Sequence, residues 1–332
     1  MNDEALQLRN QAKDSASNGQ YLLASMYISQ AIVLFAKLND AKALRELKHL
    51  SIAYHKKADK EYKVLSSSVS IPREEIEKII NEFSHYKHIG RNFDSIAHSR
   101  MFLQDFNEIA QFAVDNTPIS ALFSQHSATD RNGHLVSYDD FDAYWQAEQY
   151  GIWQDYSTKM LTQIMYKMRN DDKFKVVSLL NYFKKGKHFD ISELKKLQTV
   201  FESIQRDDYI SALHVIVPTF ETVLLRTSAN LGIDTVALGR GSPTTNQRTL
   251  STNLLLSDEF INVWGVDFCR QVNFVLFDRY GYSLRHKVAH GTILDKECNL
   301  YTFSAVLYLY LRLMAMVTVT PNLNNPPSVV PE

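Results

Sequence analysis

The chain has 332 residues, 45% of them apolar, and 36 Lys+Arg against 37 Asp+Glu give a net charge of −1. That balance excludes a global field that would gather nucleic acid, so any contact with phosphate must come from a local patch. Gly (11) and Pro (8) are scarce, which argues against a turn-rich β architecture and for an all-α chain.

In chain order, residues 3–16 place Ala5, Leu6, Leu8 and Ala12 at helical spacing, and Asn18-Gly19 stops the run. Residues 21–38 carry Ala24, Ile28, Ala31, Ile32, Phe35 and Ala36 on one face, and 41–65 do the same with Leu44, Leu47, Leu50, Ala53 and Tyr54. This pattern resembles a tetratricopeptide-type hairpin, but no second copy follows at a fixed period, so a plain helical hairpin is expected. Pro72 followed by Arg73-Glu74-Glu75 is a helix start, with Pro in the first turn and acids near the positive end of the dipole. Helices are expected over 73–87 and 93–114. His85 and His88 read as surface residues.

Residues 126–142 differ in kind. Asn132-Gly133 between short, partly β-branched runs is the best hairpin signal in the chain, and a small β-hairpin or irregular loop is expected near 126–137. Residues 139–168 form an aromatic-rich helix (Phe141, Tyr144, Trp145, Tyr150, Trp153, Tyr156), a stripe suited to packing against a neighbour. After a helix over 174–183 comes a basic turn, Lys184-Lys185-Gly186-Lys187-His188, which could touch phosphates but reads as a solvated loop. The pairs Asp139/Asp140 and Asp171/Asp172 read as ordinary loop or cap acids.

From 191 the chain reads as one helical unit. Ser192 can cap a helix containing Leu194, Leu197, Val200, Phe201 and Ile204. Asp207-Asp208 opens the next, 209–231, which Pro218 interrupts and Gly232 ends. Residues 238–246 form a loop without the GK[ST] ending of a phosphate-cradling P-loop. Short helical pieces follow at 250–256, 260–263 and 268–277. Residues 301–320 are apolar over nearly a membrane span. Arg312 at the centre, with Ser304 and Thr318, favours a core helix, so no membrane partner is expected. Two Cys, Cys269 and Cys298, outside any CxxC pair, fit a reducing, cytoplasmic compartment. Met1-Asn2-Asp3-Glu4 lacks the apolar stretch of a signal peptide.

The stretch with chemistry is Tyr280-Gly281-Tyr282-Ser283-Leu284-Arg285-His286-Lys287-Val288-Ala289-His290-Gly291. It reads as a polar cluster at the start of the last buried helical segment. Arg285 through Gly291 resembles the signature of a family of unknown function, domain-of-unknown-function family 4209, marked by RNxxxHG and similar to the HEPN superfamily of helical nucleotide-handling domains. The likeness extends to Ala212-Leu213-His214, Pro218, Glu221, Leu224 and Arg226, to 249–255, and to the lead-in 278–284. Asp130-Arg131-Asn132-Gly133 resembles a turn of longer members. It covers roughly 205–318, and 126–136 weakly. His286 and Ser283 stand where the family has Asn, and Arg226 sits one place later than the family's helix pattern sets its Arg.

The resemblance implies a HEPN-like helical domain over 191–320. Before it would come an N-terminal helical domain (1–125) and a connecting region (126–190), with a loose tail at 321–332. It also implies metal-independent cleavage of RNA, a homodimer that pairs two motifs across its axis, and a use in antiviral defence or toxin-type growth control. No metal or cofactor is expected, since His286 and His290 have no third ligand at ligand spacing.

On a helix, His286 and His290 share a face. One imidazole can take the proton of a ribose 2′-hydroxyl, the other can protonate the leaving oxygen, and Arg285 can hold the phosphorane charge. Glu221 and His214 are candidates for orienting Arg285 or a His. Arg226 and Gly291 complete the supporting set. The same residues also fit a structural clasp, with Arg285 paired to Glu221 and His290 bonded to a carbonyl. The second function class is therefore a non-catalytic scaffold that binds a protein or nucleotide partner through its N-terminal helices.

Overall fold

The computed structural model describes residues 2–58, 60–61, 71–117, 128–129, 135–137, 141–186, 189–238 and 244–319. Among the described residues the chain is all-α apart from two short antiparallel hairpins. It divides into two compact units, one formed by 1–70 with 117–145 and the other by 71–116 with 146–332.

The first unit contains α1 (Asn2–Ser17), α2 (Tyr21–Lys37) and α3 (Ala41–Ala58). Its core is small and alanine-rich: Ala5, Ala12, Ala24, Ile28, Ala31, Phe35, Leu47 and Tyr54. Small side chains at these positions let the helices approach closely. Gln20 gives α2 no side-chain cap. The Glu61 carboxylate supplies one from a distance, accepting from Tyr21 N (2.6 Å) and Leu22 N (3.0 Å). The expected end of α3 at 65 lies outside the described residues. In the same unit β1 (Ala128–Thr129) pairs with β2 (Leu135–Ser137), which is the expected hairpin. Its Asn132-Gly133 turn lies outside the described residues.

The second unit is built around α15 (Leu300–Val319), buried along most of its length. Both α15 and α10 (Tyr209–Asn230) are long and apolar enough to cross a membrane, and 78% and 56% respectively of their apolar windows are buried within the chain. Tyr310 occupies the middle of α15. Its hydroxyl donates to Ile216 O (2.9 Å), and its ring meets Phe183, Phe189 and Phe220. Such aromatic pairs contribute about 0.5–1.5 kcal/mol each beyond area burial. Arg312, the charge in the apolar run, donates from Nη1 to Ala97 O (2.9 Å) at the end of α5 (Ile89–His98).

Helices α4 (Arg73–Ser84), α5 and α6 (Phe106–Asp115), which the sequence groups with the N-terminal hairpins, contribute Phe83, Phe93, Ile96, Ile109 and their neighbours to this second core. The single helix expected over 93–114 is two. Asp105 accepts from Glu108 N (3.0 Å) and starts α6 afresh, a local side-chain bond that competes with helix continuation. Helices α7 (Phe141–Asn170) and α8 (Val176–Lys185) follow. The start of α9 (Ile191–Gln205) is capped by Asp190, not Ser192. Asp190 Oδ1 accepts from Glu193 N (2.7 Å) and Glu193 Oε2 from Asp190 N (2.9 Å), a complete capping box. Helix α10 (Tyr209–Asn230) runs through Pro218, which has no N–H to give to the His214 carbonyl. The loop expected at 238–246 is flanked by a second hairpin, β3 (Val236–Leu238) with β4 (Thr245–Gln247). Short helices α11 (Thr252–Leu255) and α12 (Asp258–Trp264) lead to α13 (Val266–Leu276).

The Arg–His stretch does not open the final helix. It forms its own short helix, α14 (Leu284–Ala289), and a connection with a 3-10 turn at Asp295–Glu297 separates it from α15. Gly291, with φ of 63°, is the reason. Thr292 N bonds Lys287 O (2.8 Å) and Gly291 N bonds Val288 O (3.2 Å), the double bond pattern of a Schellman end, which needs a left-handed residue at that position.

Candidate active site

The site is built where α13 turns into α14. Asp278 organises the turn: its Oδ1 accepts from Tyr280 N (2.9 Å), and burial holds its carboxyl above the usual carboxylate range. The chain then presses back on α13. Tyr282 N donates to Phe274 O (3.0 Å), and a Cβ on Gly281 would stand 2.0 Å from that same oxygen. Only glycine fits there. Ser283 begins α14 in the left-handed region (φ 51°, ψ 35°) without a side-chain cap. For a residue with a Cβ that conformation costs on the order of 1 kcal/mol, and such strain gathers at functional sites.

Three tethers fix α14. The Tyr282 and Tyr301 hydroxyls lie 2.6 Å apart, and both reach Asp155 Oδ1 on α7, at 2.9 and 2.6 Å. Burial raises both phenols, so they stay protonated as donors. Lys287 Nζ pairs with Glu297 Oε1 at 2.9 Å. Arg285 Nε meets Glu221 Oε2 on α10 at 3.5 Å, while Glu221 Oε1 accepts from Leu250 N at 3.1 Å. Glu221 therefore orients Arg285 and also holds the strand-to-helix segment before α11. None of Asp155, Tyr282, Tyr301, Lys287 or Glu297 was singled out by sequence reasoning. The tyrosine of the Tyr280-Gly281-Tyr282 run was the one available signal.

The functional side chains face outward. Arg285 is 29% exposed, and His286 and His290 are exposed. Among the described residues Arg285 makes no hydrogen bond, its closest ion-pair approach being the 3.5 Å one from Nε, so the guanidinium keeps donors for an incoming anion. The His286 and His290 rings lie parallel within 3°, their centroids 6.3 Å apart, and Phe277 stands edge-on to His286 at 6.2 Å. Partial burial, then the positive charge of Arg285 and the neighbouring His290 and Arg279, lowers the His286 pKa below the ordinary histidine value. A neutral imidazole next to a guanidinium, with a second imidazole within one substrate group's reach, can move a proton on each side of a phosphate.

The other sequence candidates divide. His214 is exposed two turns before Glu221 on α10, and its recorded partner is local, Nδ1 against Ile210 O at 2.8 Å. Arg226 makes a two-pronged pair with Glu193, whose side chain is 2% exposed, and so ties α10 to α9 away from Arg285. Five positions after Glu221 on a helix is about 140° around the axis, which explains the different neighbour. Gly291 serves the backbone, as the helix end. Among the described residues no group of three or more His, Cys, Asp or Glu is placed to hold a metal ion. Compared with protein-family models, with curated proteins and with solved structures, the chain matches none.

Proposed function

We propose that the chain is a HEPN-like, metal-independent endoribonuclease whose active residues are Arg285, His286 and His290. The observation that carries this reading is a partly exposed Arg285, loosely paired to Glu221 at 3.5 Å and making no hydrogen bond among the described residues, beside two exposed imidazoles with parallel rings. In this reading Arg285 grips the non-bridging oxygens of one RNA phosphate with a forked bond. Neutral His286 takes the proton of the adjacent 2′-hydroxyl, whose oxygen attacks phosphorus. The bond to the 5′-oxygen breaks, and protonated His290 gives that oxygen its proton. The products are a 2′,3′-cyclic phosphate and a 5′-hydroxyl, and the two histidines end with their protonation states exchanged. A homodimer that brings two motifs together, RNA as the partner, and a cytoplasmic, reducing location belong to the same proposal. Cys269 is a free thiol that burial pushes up to about 12, suited to packing and not to redox chemistry.

One observation favours the alternative, a scaffold that binds a protein partner through its N-terminal helices and in which the cluster is a clasp: the Arg285–Glu221 pair is the contact a clasp requires. Labelled RNA incubated with the purified chain in EDTA separates the two. The nuclease reading expects cleavage by the wild type and loss in Arg285→Ala and His290→Ala, each still folded by circular dichroism. A clasp predicts intact RNA throughout, with lowered stability for Arg285→Ala as its only effect.

A further inference from the structure

A second charged feature lies outside this site. A groove of about 660 Å³ opens between the α4–α5 turn, the α7–α8 turn and one face of α8. Its lining holds five Lys and Arg side chains against three Asp, in a chain whose total charge is −1. Two of the carboxylates are ion-paired, and the third is hydrogen-bonded to a neutral hydroxyl. Asp171 takes Lys167 (2.7 Å) and Lys173 (3.2 Å), Asp172 takes Lys175 (2.7 Å), and Asp94 accepts from the Tyr182 hydroxyl (3.1 Å). Among the described residues that leaves Lys87, Arg91 and Lys185 exposed and without a carboxylate partner, converging on one concavity. Three cations against the one carboxylate without a cationic partner, Asp94, leave an excess of positive charge that an anion between them would offset.

The walls of the groove are built rigidly. Asn92, fully buried, clamps the α4–α5 turn by accepting from Tyr86 N and donating to Tyr86 O, both at 3.0 Å. Lys173 ties the opposite wall to the end of α4 by donating to Ser84 O. Tyr182 packs edge-on to Phe93 at 5.2 Å and fills the space beside Gly90. A preformed cavity of this size accommodates a nucleotide-sized ligand with little ordering cost. Two ammonium groups and a guanidinium fork match phosphate oxygens.

We propose that this groove is an anion site that takes the phosphate groups of a nucleotide or of an RNA strand through Lys87, Arg91 and Lys185. It does not depend on the chemistry assigned to Arg285. The basic run at the end of α8, which reads in sequence as a solvated loop, thereby gains a ligand.

The test is binding to the full chain at low salt of three probes: inorganic pyrophosphate, ATP without metal, and a short single-stranded RNA. The wild type should bind, and the triple variant Lys87→Gln/Arg91→Gln/Lys185→Gln should bind tenfold or more weakly with an unchanged melting temperature. For RNA its salt slope should fall by about 2, from three lost contacts at about 0.7 each. RNA held far more tightly than ATP identifies a strand as the natural occupant, and equal affinities identify a free nucleotide. Either result supports the site. If the triple variant melts early, Lys87→Gln alone carries the comparison. Absence of binding to all three probes, or unchanged affinity in the folded variants, overturns the proposal. Arg285→Ala should leave pyrophosphate binding intact, so failure here and failure of the nuclease reading are separate results.

Discussion

The conformation of the Arg–His helix depends on Gly281, and Gly281→Ala measures that dependence. The added methyl would meet Phe274 O at 2.0 Å and its carbonyl carbon at 2.8 Å. Neither is the free end of a flexible side chain, so the turn has to move. Overpacking of this kind costs about 1–3 kcal/mol. The displaced turn also loses the Tyr282 N to Phe274 O bond, worth about 1 kcal/mol, and weakens the Tyr282–Asp155 tether by a similar amount. The expected loss is therefore about 3–5 kcal/mol, read by urea denaturation followed by circular dichroism. Gly151→Ala is the matched control. Its Cβ would contact the same Phe274, but at 3.6–3.7 Å, an ordinary van der Waals distance, and Gly151 lies inside α7. There alanine should be neutral or stabilising by about 0.5–1 kcal/mol. Equal stabilities for the two variants, or a loss below about 0.5 kcal/mol for Gly281→Ala, would refute the close approach and the positioning role built on it.

Further outcomes follow from the same geometry. Ser283→Asn should raise stability by up to about 1 kcal/mol, because Asn tolerates the left-handed region that Ser283 occupies, and a lowered melting temperature would contradict that assignment. Arg226→Ala should cost about 3 kcal/mol in denaturation, since it leaves the buried Glu193 carboxylate unpaired. The figure is the low end for such a loss because Arg226 is 32% exposed, and Glu193→Gln in the same background should recover part of it. NMR titration should place His286 below the ordinary histidine pKa, and Arg285→Ala should move it upward by removing a neighbouring positive charge. The unfolded state then binds the proton more readily than the folded one. The His286 contribution to stability is thus full above about pH 6.5 and is lost as pH falls through the window down to the folded value. His286→Gln should flatten stability across that window.

Much of this molecule can be read from local patterns. Helical spacing locates the main helices, the flanks of Asn132-Gly133 locate the first hairpin, and Glu221, a candidate partner for Arg285 in sequence, meets it in the fold. These are short-range or periodic signals. What escaped depends on groups far apart in sequence or on backbone geometry. Asp155 and Tyr282 are 127 positions apart, and no periodicity links them. The break before α6 comes from one aspartate whose side chain outcompetes helix continuation, within a run whose apolar spacing fits an unbroken helix. Gly291 looks like part of a catalytic signature in sequence, yet in the fold it ends α14 and moves the motif off the final helix. Arg226 enters through resemblance to a helix pattern, and its neighbour, Glu193 on α9, depends on which side of α10 it occupies.

The most direct measurement is single-turnover incubation of one RNA, and of the same strand carrying 2′-deoxyribose at the cleaved position, with analysis of the product ends. Attack by the 2′-oxygen, with Arg285 on the phosphate and the two imidazoles moving protons, predicts a 2′,3′-cyclic phosphate from the RNA and an intact deoxy-substituted strand. Equal cleavage of both strands, or an untouched RNA in the presence of folded wild-type protein, would contradict it.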